Sequence, residues 1–559
     1  MVTAPSYTLN IAWFQPPADR TYYEYSLAYL FTRTHYKLYG KYNKNVNWMD
    51  PIYDWLDIQT IEQAVDRLKD ADVICFSNYV WNYSVNDRAA EYVKQKYPHI
   101  KTIVGGPQLE YSNPDFDNRY KMFDYHCEPT MSAELYLEDW INGYFEDNKQ
   151  PIHSKIAYER KSTVRKSFNY PYVSVYEDNI EFIRQAKQYF DSKNIMSRIG
   201  YETTRGCPFK CTFCEWGGGT GEKLKKKDTQ HIKKDLDVIA SLGFKEIDLI
   251  DSNLGAFKER DWQLLEMIHE RGLRIMVLSL LKTKDLERKK TIIDNLMDRG
   301  YRANLSVQTF SKEALTNAQR PDLDLEQQFE LVYHIRQRVV DMYGEQFFEK
   351  SAEEIKEIAS VEFIMGMPGS NKNDFYKEYL MMEMLGSWLD GRFEYSYLPF
   401  TIASSDEDKL KFDVHLVPVY TESIFGTRNY FETISHCYSY TKDDMYEMFL
   451  MNLAGNYLRK NFYDFVKEDI NIVDFMRACY PALQNCHGFT FIHEQIVNFF
   501  DPTTASDFFN LEGIHGDVKH KRLVVEEWLE VNRTLILSQL LSLTHQTQSE
   551  SANNSFALV

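Results

Sequence analysis

Tyr201-Glu202-Thr203-Thr204-Arg205-Gly206-Cys207-Pro208-Phe209-Lys210-Cys211-Thr212-Phe213-Cys214 decides how the rest of this chain is read. Its cysteines are spaced C-x3-C-x2-C, with no fourth cysteine or histidine close by. A cubane iron–sulfur cluster has four iron corners, each normally held by one thiolate. Three ligands on one short loop leave a corner open for a substrate or cofactor. Structural zinc is the rival, but it takes four protein ligands, usually in paired C-x2-4-C or H-x3-5-H spacing. The next histidine, His231, lies outside such spacing. The ligand count favours a [4Fe–4S] cluster on Cys207, Cys211 and Cys214 over zinc.

On either side of this loop, apolar strand-like runs alternate with helical patterns. From Ser197 to Phe400 the alternation repeats about six times, with strands expected at 198–203, 245–251, 273–280, 303–308, 361–366 and 393–398. In such repeats the active residues collect at the C-terminal ends of the strands. Asp251-Ser252-Asn253, Ser306 with Gln308, and Gly366-Met367-Pro368-Gly369 stand at those ends. Any one of them alone reads equally well as a helix cap. Gly217-Gly218-Gly219 lacks the Lys-Ser/Thr of a phosphate-binding loop and reads as a turn over the cluster.

The first 150 residues alternate in the same way and predict a doubly wound parallel sheet, whose ligand edge lies at the carboxyl ends of its strands. Loops 15–17, 77–82, 105–108 and 127–132 would line that edge. Gly105 and Gly106 would let backbone approach a bulky ligand closely. Cys75, inside an apolar strand, reads as a buried structural thiol. His126 and Cys127 stand at a strand end, where packing is the simpler reading. Beyond about residue 405 the rhythm stops. Patterns at 443–458 and 523–541 look helical, Cys479 and Cys486-His487 are too sparse for a second cluster, and the polar tail reads as disordered.

Composition is consistent with an intracellular enzyme. The chain has 559 residues, 44% hydrophobic and 26% charged, an ordinary globular balance. The formal net charge of −18 argues against an extended nucleic-acid footprint. No export signal or membrane-spanning run is visible. Eight cysteines are too few for a disulfide scaffold in a chain this long, so a reducing cytoplasm is expected. The expected division is a Rossmann-like domain over 1–150, a linker over 151–196, a partial (β/α)6 barrel over 197–405, a helical region over 406–545 and a tail over 546–559.

The cysteine spacing, Arg205-Gly206-Cys207-Pro208 before it, and Phe213 before the last cysteine resemble the radical S-adenosylmethionine (SAM) enzymes. Gln308-Thr309 and Gly366-Met367-Pro368-Gly369 resemble further words of that family, although Ser370-Asn371 replaces its usual Glu-Thr. The resemblance implies that the open iron chelates SAM, and that reduction of the cluster cleaves SAM to a 5′-deoxyadenosyl radical. It also implies that Asp251, Asn253, Ser306, Gln308, Gly366 and Pro368 contact SAM. A flavodoxin or ferredoxin would supply the electron.

The N-terminal part resembles the cobalamin-binding domain that precedes many of these barrels, which places Ser77, Tyr79, Trp81, Gly105 and Gly106 beside cobalamin. It lacks the Asp-x-His-x-x-Gly motif whose histidine ligates cobalt, so Tyr79 or Trp81 is expected beneath the metal. It also has Cys127-Glu128-Pro129-Thr130 where relatives often show Gly-Glu-Gly. The implied reaction is transfer of a methyl group from methylcobalamin to an unactivated carbon of a small molecule or peptide. A radical rearrangement or oxidation without methyl transfer, and a non-catalytic iron–sulfur or cobalamin sensor, are the alternatives.

Overall fold

The computed structural model describes residues 7–18, 22–109, 115–127, 133–146, 173–214, 224–309, 311–320, 323, 325–343, 358–364, 366–371, 374, 406–442 and 444. In chain order the described strands are β1 (Leu9–Phe14), β2 (Tyr22–Glu24), β3 (Val46–Trp48), β4 (Val73–Ser77), β5 (Lys101–Gly105), β6 (Tyr125–His126), β7 (Met196–Tyr201), β8 (Thr204–Arg205), β9 (Lys225–Lys226), β10 (Glu246–Leu249), β11 (Arg274–Val277), β12 (Ala303–Gln308), β13 (Ala359–Phe363), β14 (His415–Glu422) and β15 (Arg428–His436).

Strands β1 and β4 are apolar on both faces, as a sheet covered on both sides requires. All of β4 and all but one residue of β1 are buried. They sit centrally in a parallel sheet of order β3-β1-β4-β5-β6. The chain leaves β1 for β3 on one side and returns to β4 on the other. The strand order therefore reverses between β1 and β4, and the crevice beyond their carboxyl ends is the expected ligand position. The doubly wound reading of this region holds.

A second parallel sheet has the order β11-β10-β7-β2. Its β7, β10 and β11 are the first three strands expected after residue 197, the first of them starting two residues earlier. The edge strand β2 comes from the chain's first thirty residues, and its alignment on β7 pairs Tyr22 with Met196. Helix Leu27–Tyr39 follows β2, and Ser26 Oγ caps it by accepting from Tyr29 N. Tyr25 and Tyr29 then pack edge-on against Phe244 and Phe182, at 5.5 and 5.8 Å between ring centres. Such offset aromatic contacts add about 0.5–1.5 kcal/mol each beyond the area they bury.

Strands β12 and β13 pair in parallel, and β14 and β15 pair with each other. The described residues fall into two compact units. The first takes in the residues up to 281 together with the 421–430 turn region between β14 and β15, and holds both larger sheets. The second takes in β12, β13 and the rest of the β14–β15 pair. No helix among the described residues is long and apolar enough to cross a membrane. The strand expected at 393–398, the helices at 443–458 and 523–541, the 546–559 tail, the loop residues 128–132, Gly217 to Gly219, Cys479, Cys486 and His487 lie outside the described residues.

Candidate functional site

The cysteine loop leaves the carboxyl end of β7 and is held there by charge. Arg205 binds Glu134 at 2.8 Å and Glu202 at 2.6 Å, and its guanidinium lies 5.2 Å from the centre of the Phe31 ring. Burial acts to lower its pKa, but the two carboxylates together outweigh it and push the pKa up, so this arginine is a fixed cation. Cys207 and Cys211 are buried and Cys214 is partly exposed. The chain turns between the last two, with Cys214 N donating to the Cys211 carbonyl at 3.1 Å.

Asp251, just past β10, closes the other side of this loop. Its carboxylate accepts from Thr203 N at 2.6 Å, from Thr204 N at 2.8 Å and from the Thr203 hydroxyl. Burial pushes its carboxyl up to about 6, while Arg260 at 3.9 Å and the Thr203 and Thr204 donors act in the opposite direction. Arg260 also donates to the Thr203 carbonyl at 2.6 Å. Asp251 thus fixes the backbone that leads into the cysteines. Ser252 Oγ donates to the Gly206 carbonyl at 2.7 Å, and Asn253 Nδ2 lies 3.3 Å from Cys207 Sγ. The structure brings Asp251, Asn253 and Cys207 together.

No group of three or more His, Cys, Asp or Glu side chains among the described residues is drawn together in metal-binding geometry. The donor set still fits a cluster: three soft sulfur ligands, two of them buried, with an amide donor beside one sulfur. Asn253 Oδ1, beside this loop, is buried without a partner in the structure.

In the second unit the register of β12 on β13 shifts between Ser306 and Gln308, and Gln308 has φ 73°. A non-glycine residue in the left-handed region stores strain, which is common at ligand sites. Gln308 is buried, and its carbonyl accepts from Ile364 N at 2.7 Å. The Ser306 carbonyl accepts from buried Arg320. Tyr440 OH donates to the Gly366 carbonyl at 2.5 Å, and Asn317 Nδ2 to that of Pro368 at 3.1 Å. Ser306, Gln308, Gly366 and Pro368 all lie in this unit, near the β12–β13 ends.

At the edge of the first sheet, Asn82 Nδ2 bridges to the Pro16 carbonyl at 3.2 Å, across the point where the strand order reverses. Ser77 Oγ accepts from the Trp13 indole at 3.0 Å. Tyr79 and Trp81 stack at 4.6 Å, with an angle of 6° between their planes. Gly106 has φ 113°, and a Cβ there would lie 2.3 Å from the Asn78 carbonyl oxygen. The close approach that Gly106 permits is thus already made by the chain itself. One polar atom at this edge, Asn78 Nδ2, is buried and without a partner in the structure. An apolar ring stack and an orphaned amide donor fit a large ligand with both apolar and carbonyl-bearing parts. His126 is buried, with Nε2 3.3 Å from the Tyr120 carbonyl, and Cys127 is buried beside it. Burial pushes the Cys75 thiol well up, as a packing role requires.

Several residues at these edges escape a reading of the sequence. Buried Asn86 donates to the Ser77 carbonyl at 2.9 Å and to Asn78 Oδ1 at 2.6 Å, while buried Asn82 accepts from Tyr79 N at 2.8 Å, and the four-residue spacing of the three asparagines is a signal that could have flagged them. Asn429 gave no such signal. It donates to the Trp81 carbonyl at 2.7 Å and accepts from Ser84 N at 2.9 Å, more than 340 residues away in the chain.

No family model matches the chain. It is 22% identical over 471 residues to the cobalamin-dependent radical SAM methyltransferase TokK of Streptomyces tokunonensis, covering 79% of this chain and 63% of that protein. The chain thus spans less than two-thirds of that relative. The cobalamin-dependent SAM radical enzyme OxsB, solved with aqua-cobalamin bound, matches with a TM-score of 0.52 at 13% identity, over 98% of this chain and 82% of that one. The radical SAM methyltransferase TsrM of Kitasatospora setae, solved with cobalamin and a [4Fe–4S] cluster bound, matches with a TM-score of 0.51 at 12% identity. That match covers 88% of this chain and 99% of the other. The chain shares the fold of these enzymes.

Proposed function

We propose that this chain is a cobalamin-dependent radical SAM methyltransferase acting on an unactivated carbon. The observation that carries this reading is the cysteine loop at the carboxyl end of β7, met from the neighbouring β10 by Asn253 on Cys207. Its similarity to TokK supports the methyl-transfer reading over a non-methylating radical reaction. A sensor would need no such set of polar groups at successive strand ends.

Cys207, Cys211 and Cys214 would hold a [4Fe–4S] cluster, and Ser77, Tyr79, Trp81, Gly105 and Gly106 would line the cobalamin edge. When bound, these groups supply electron transfer to SAM and a carrier for the methyl group. Asp251 holds Thr203 and Thr204 so that the loop leaves β7 in one direction. Arg205 pins the same loop through Glu134 and Glu202. Asn253 Oδ1, Ser306 and Gln308 would bind SAM, and the Gly366-Pro368 turn would take its adenine end. A flavodoxin- or ferredoxin-like donor would reduce the cluster.

Among the described residues, the edge loops 15–17, 77–82 and 105–108 carry no histidine. A cobalamin held at this edge would therefore find no histidine in these loops to serve as a ligand. The test is anaerobic reconstitution of the full chain with iron, sulfide and cobalamin, followed by metal analysis and electron paramagnetic resonance. About four irons and four sulfides per chain are expected, with a Cob(II) signal free of histidine nitrogen splitting. Stoichiometric zinc without sulfide, or no cobalamin retained at excess, would overturn the proposal.

A further inference from the structure

Ser252 and Asn253 form a short relay onto the first cysteine. A hydroxyl has one proton, and Ser252 Oγ gives its own to the Gly206 carbonyl at 2.7 Å. Toward any other neighbour this oxygen can only accept. The Asn253 side-chain atom 3.0 Å from it must then be a donor, the amide Nδ2. This fixes the orientation of an amide whose two ends are alike in shape. The same Nδ2 lies 3.3 Å from Cys207 Sγ, and its second hydrogen is available to that sulfur. Asn253 is 1% exposed and Cys207 4%, so water does not compete for the contact.

We infer that Asn253 is a positioning residue that sets the reduction potential of the cluster through an N–H···S bond to the Cys207 thiolate. The inference rests on the reading that these cysteines hold an iron–sulfur cluster. Reduction places an added electron partly on the cluster's sulfurs. A donor held against one of them stabilises the reduced form more than the oxidised form and raises the potential. Burial strengthens the effect, because the surrounding dielectric is low. The relay also ties this donor to the backbone of Gly206, next to the cysteine, so that donor and ligand keep their spacing. A residue that merely braced the loop would alter cluster loading or stability and leave the potential where it was.

The test compares the full wild-type chain with Asn253→Leu, which removes the donor, and Asn253→Asp, which replaces it with an acceptor of the same shape. Each is reconstituted anaerobically, assayed for iron and sulfide, and titrated with titanium(III) citrate under electron paramagnetic resonance. Both variants should move to more negative potential, Asn253→Asp further. For Asn253→Leu the reduced-to-oxidised ratio at a fixed poise should fall about tenfold, which is about 59 mV for a one-electron couple. Loaded variants with unchanged midpoints would overturn the inference. Should neither variant load, wild-type protein labelled with nitrogen-15 in its asparagine side chains decides the matter. Pulsed resonance on its reduced cluster should detect a nitrogen-15 coupling, and its absence would overturn the inference. A wild-type chain that takes up no iron would instead bring down the cluster reading itself, a separate and recognisable outcome.

Discussion

Removing the Asp251 carboxylate would strand the buried N–H groups of Thr203 and Thr204, while Arg260 would keep its closer partner Asp261 at 2.5 Å. Leaving a buried donor without a partner costs about 1–3 kcal/mol. Asp251→Ala should lose stability on that scale in urea unfolding and take up less iron; a loss under about 1 kcal/mol would contradict the bracing role. Asp87 offers a test by pH. Burial pushes its carboxyl up to about 7, with Glu91 adding to the shift and Arg119 opposing it. Its unfolded value is near 3.9, so the folded chain binds the proton more tightly. Stability is therefore lost as pH rises from about 4 through about 7. Asp87→Asn should raise the thermal midpoint at pH 8 more than at pH 5, and the reverse order would contradict the assignment. At this scale the sequence was only partly legible. Polar residues at the end of β10 stood out, but it took the folded loop to turn Asp251 toward Thr203 and Asn253 toward Cys207.

Among the elements, the crossing of the β4 and β5 loops is the most demanding. Gly106→Ala would place a Cβ 2.3 Å from the Asn78 carbonyl oxygen at φ 113°. Gly272 is also left-handed, at φ 63°, but a Cβ there meets nothing within 4 Å. Gly272→Ala should therefore cost about 1–2 kcal/mol from backbone strain alone. Gly106→Ala should cost more, about 3 kcal/mol or above, because steric overlap adds to that strain. Denaturant midpoints of the two variants check this, and equal losses would contradict it. Strands β1, β4 and β5 were legible because a buried parallel strand needs an unbroken apolar run. Strand β2 was not, since a three-residue edge strand carries no periodicity, and its partner β7 lies some 170 residues further on. The left-handed Gln308 was likewise invisible, because a register shift depends on the pairing of two distant strands.

For the whole molecule, both larger parallel sheets lie in the first of the two compact units. The 421–430 segment belongs to that unit too, with Asn429 on Trp81 and Ser84 at the edge of the first sheet. That long-range return has no local signature in the chain. The central claim is that one chain joins a radical-forming cluster to a methyl carrier. The most direct test is one anaerobic incubation of the full chain, loaded with iron, sulfide and cobalamin, with SAM and a low-potential reductant, followed by mass spectrometry of the products. The account predicts both 5′-deoxyadenosine and S-adenosylhomocysteine, the second disappearing when cobalamin is left out and the first in Cys211→Ala. Formation of 5′-deoxyadenosine with no S-adenosylhomocysteine at any cobalamin loading would contradict it.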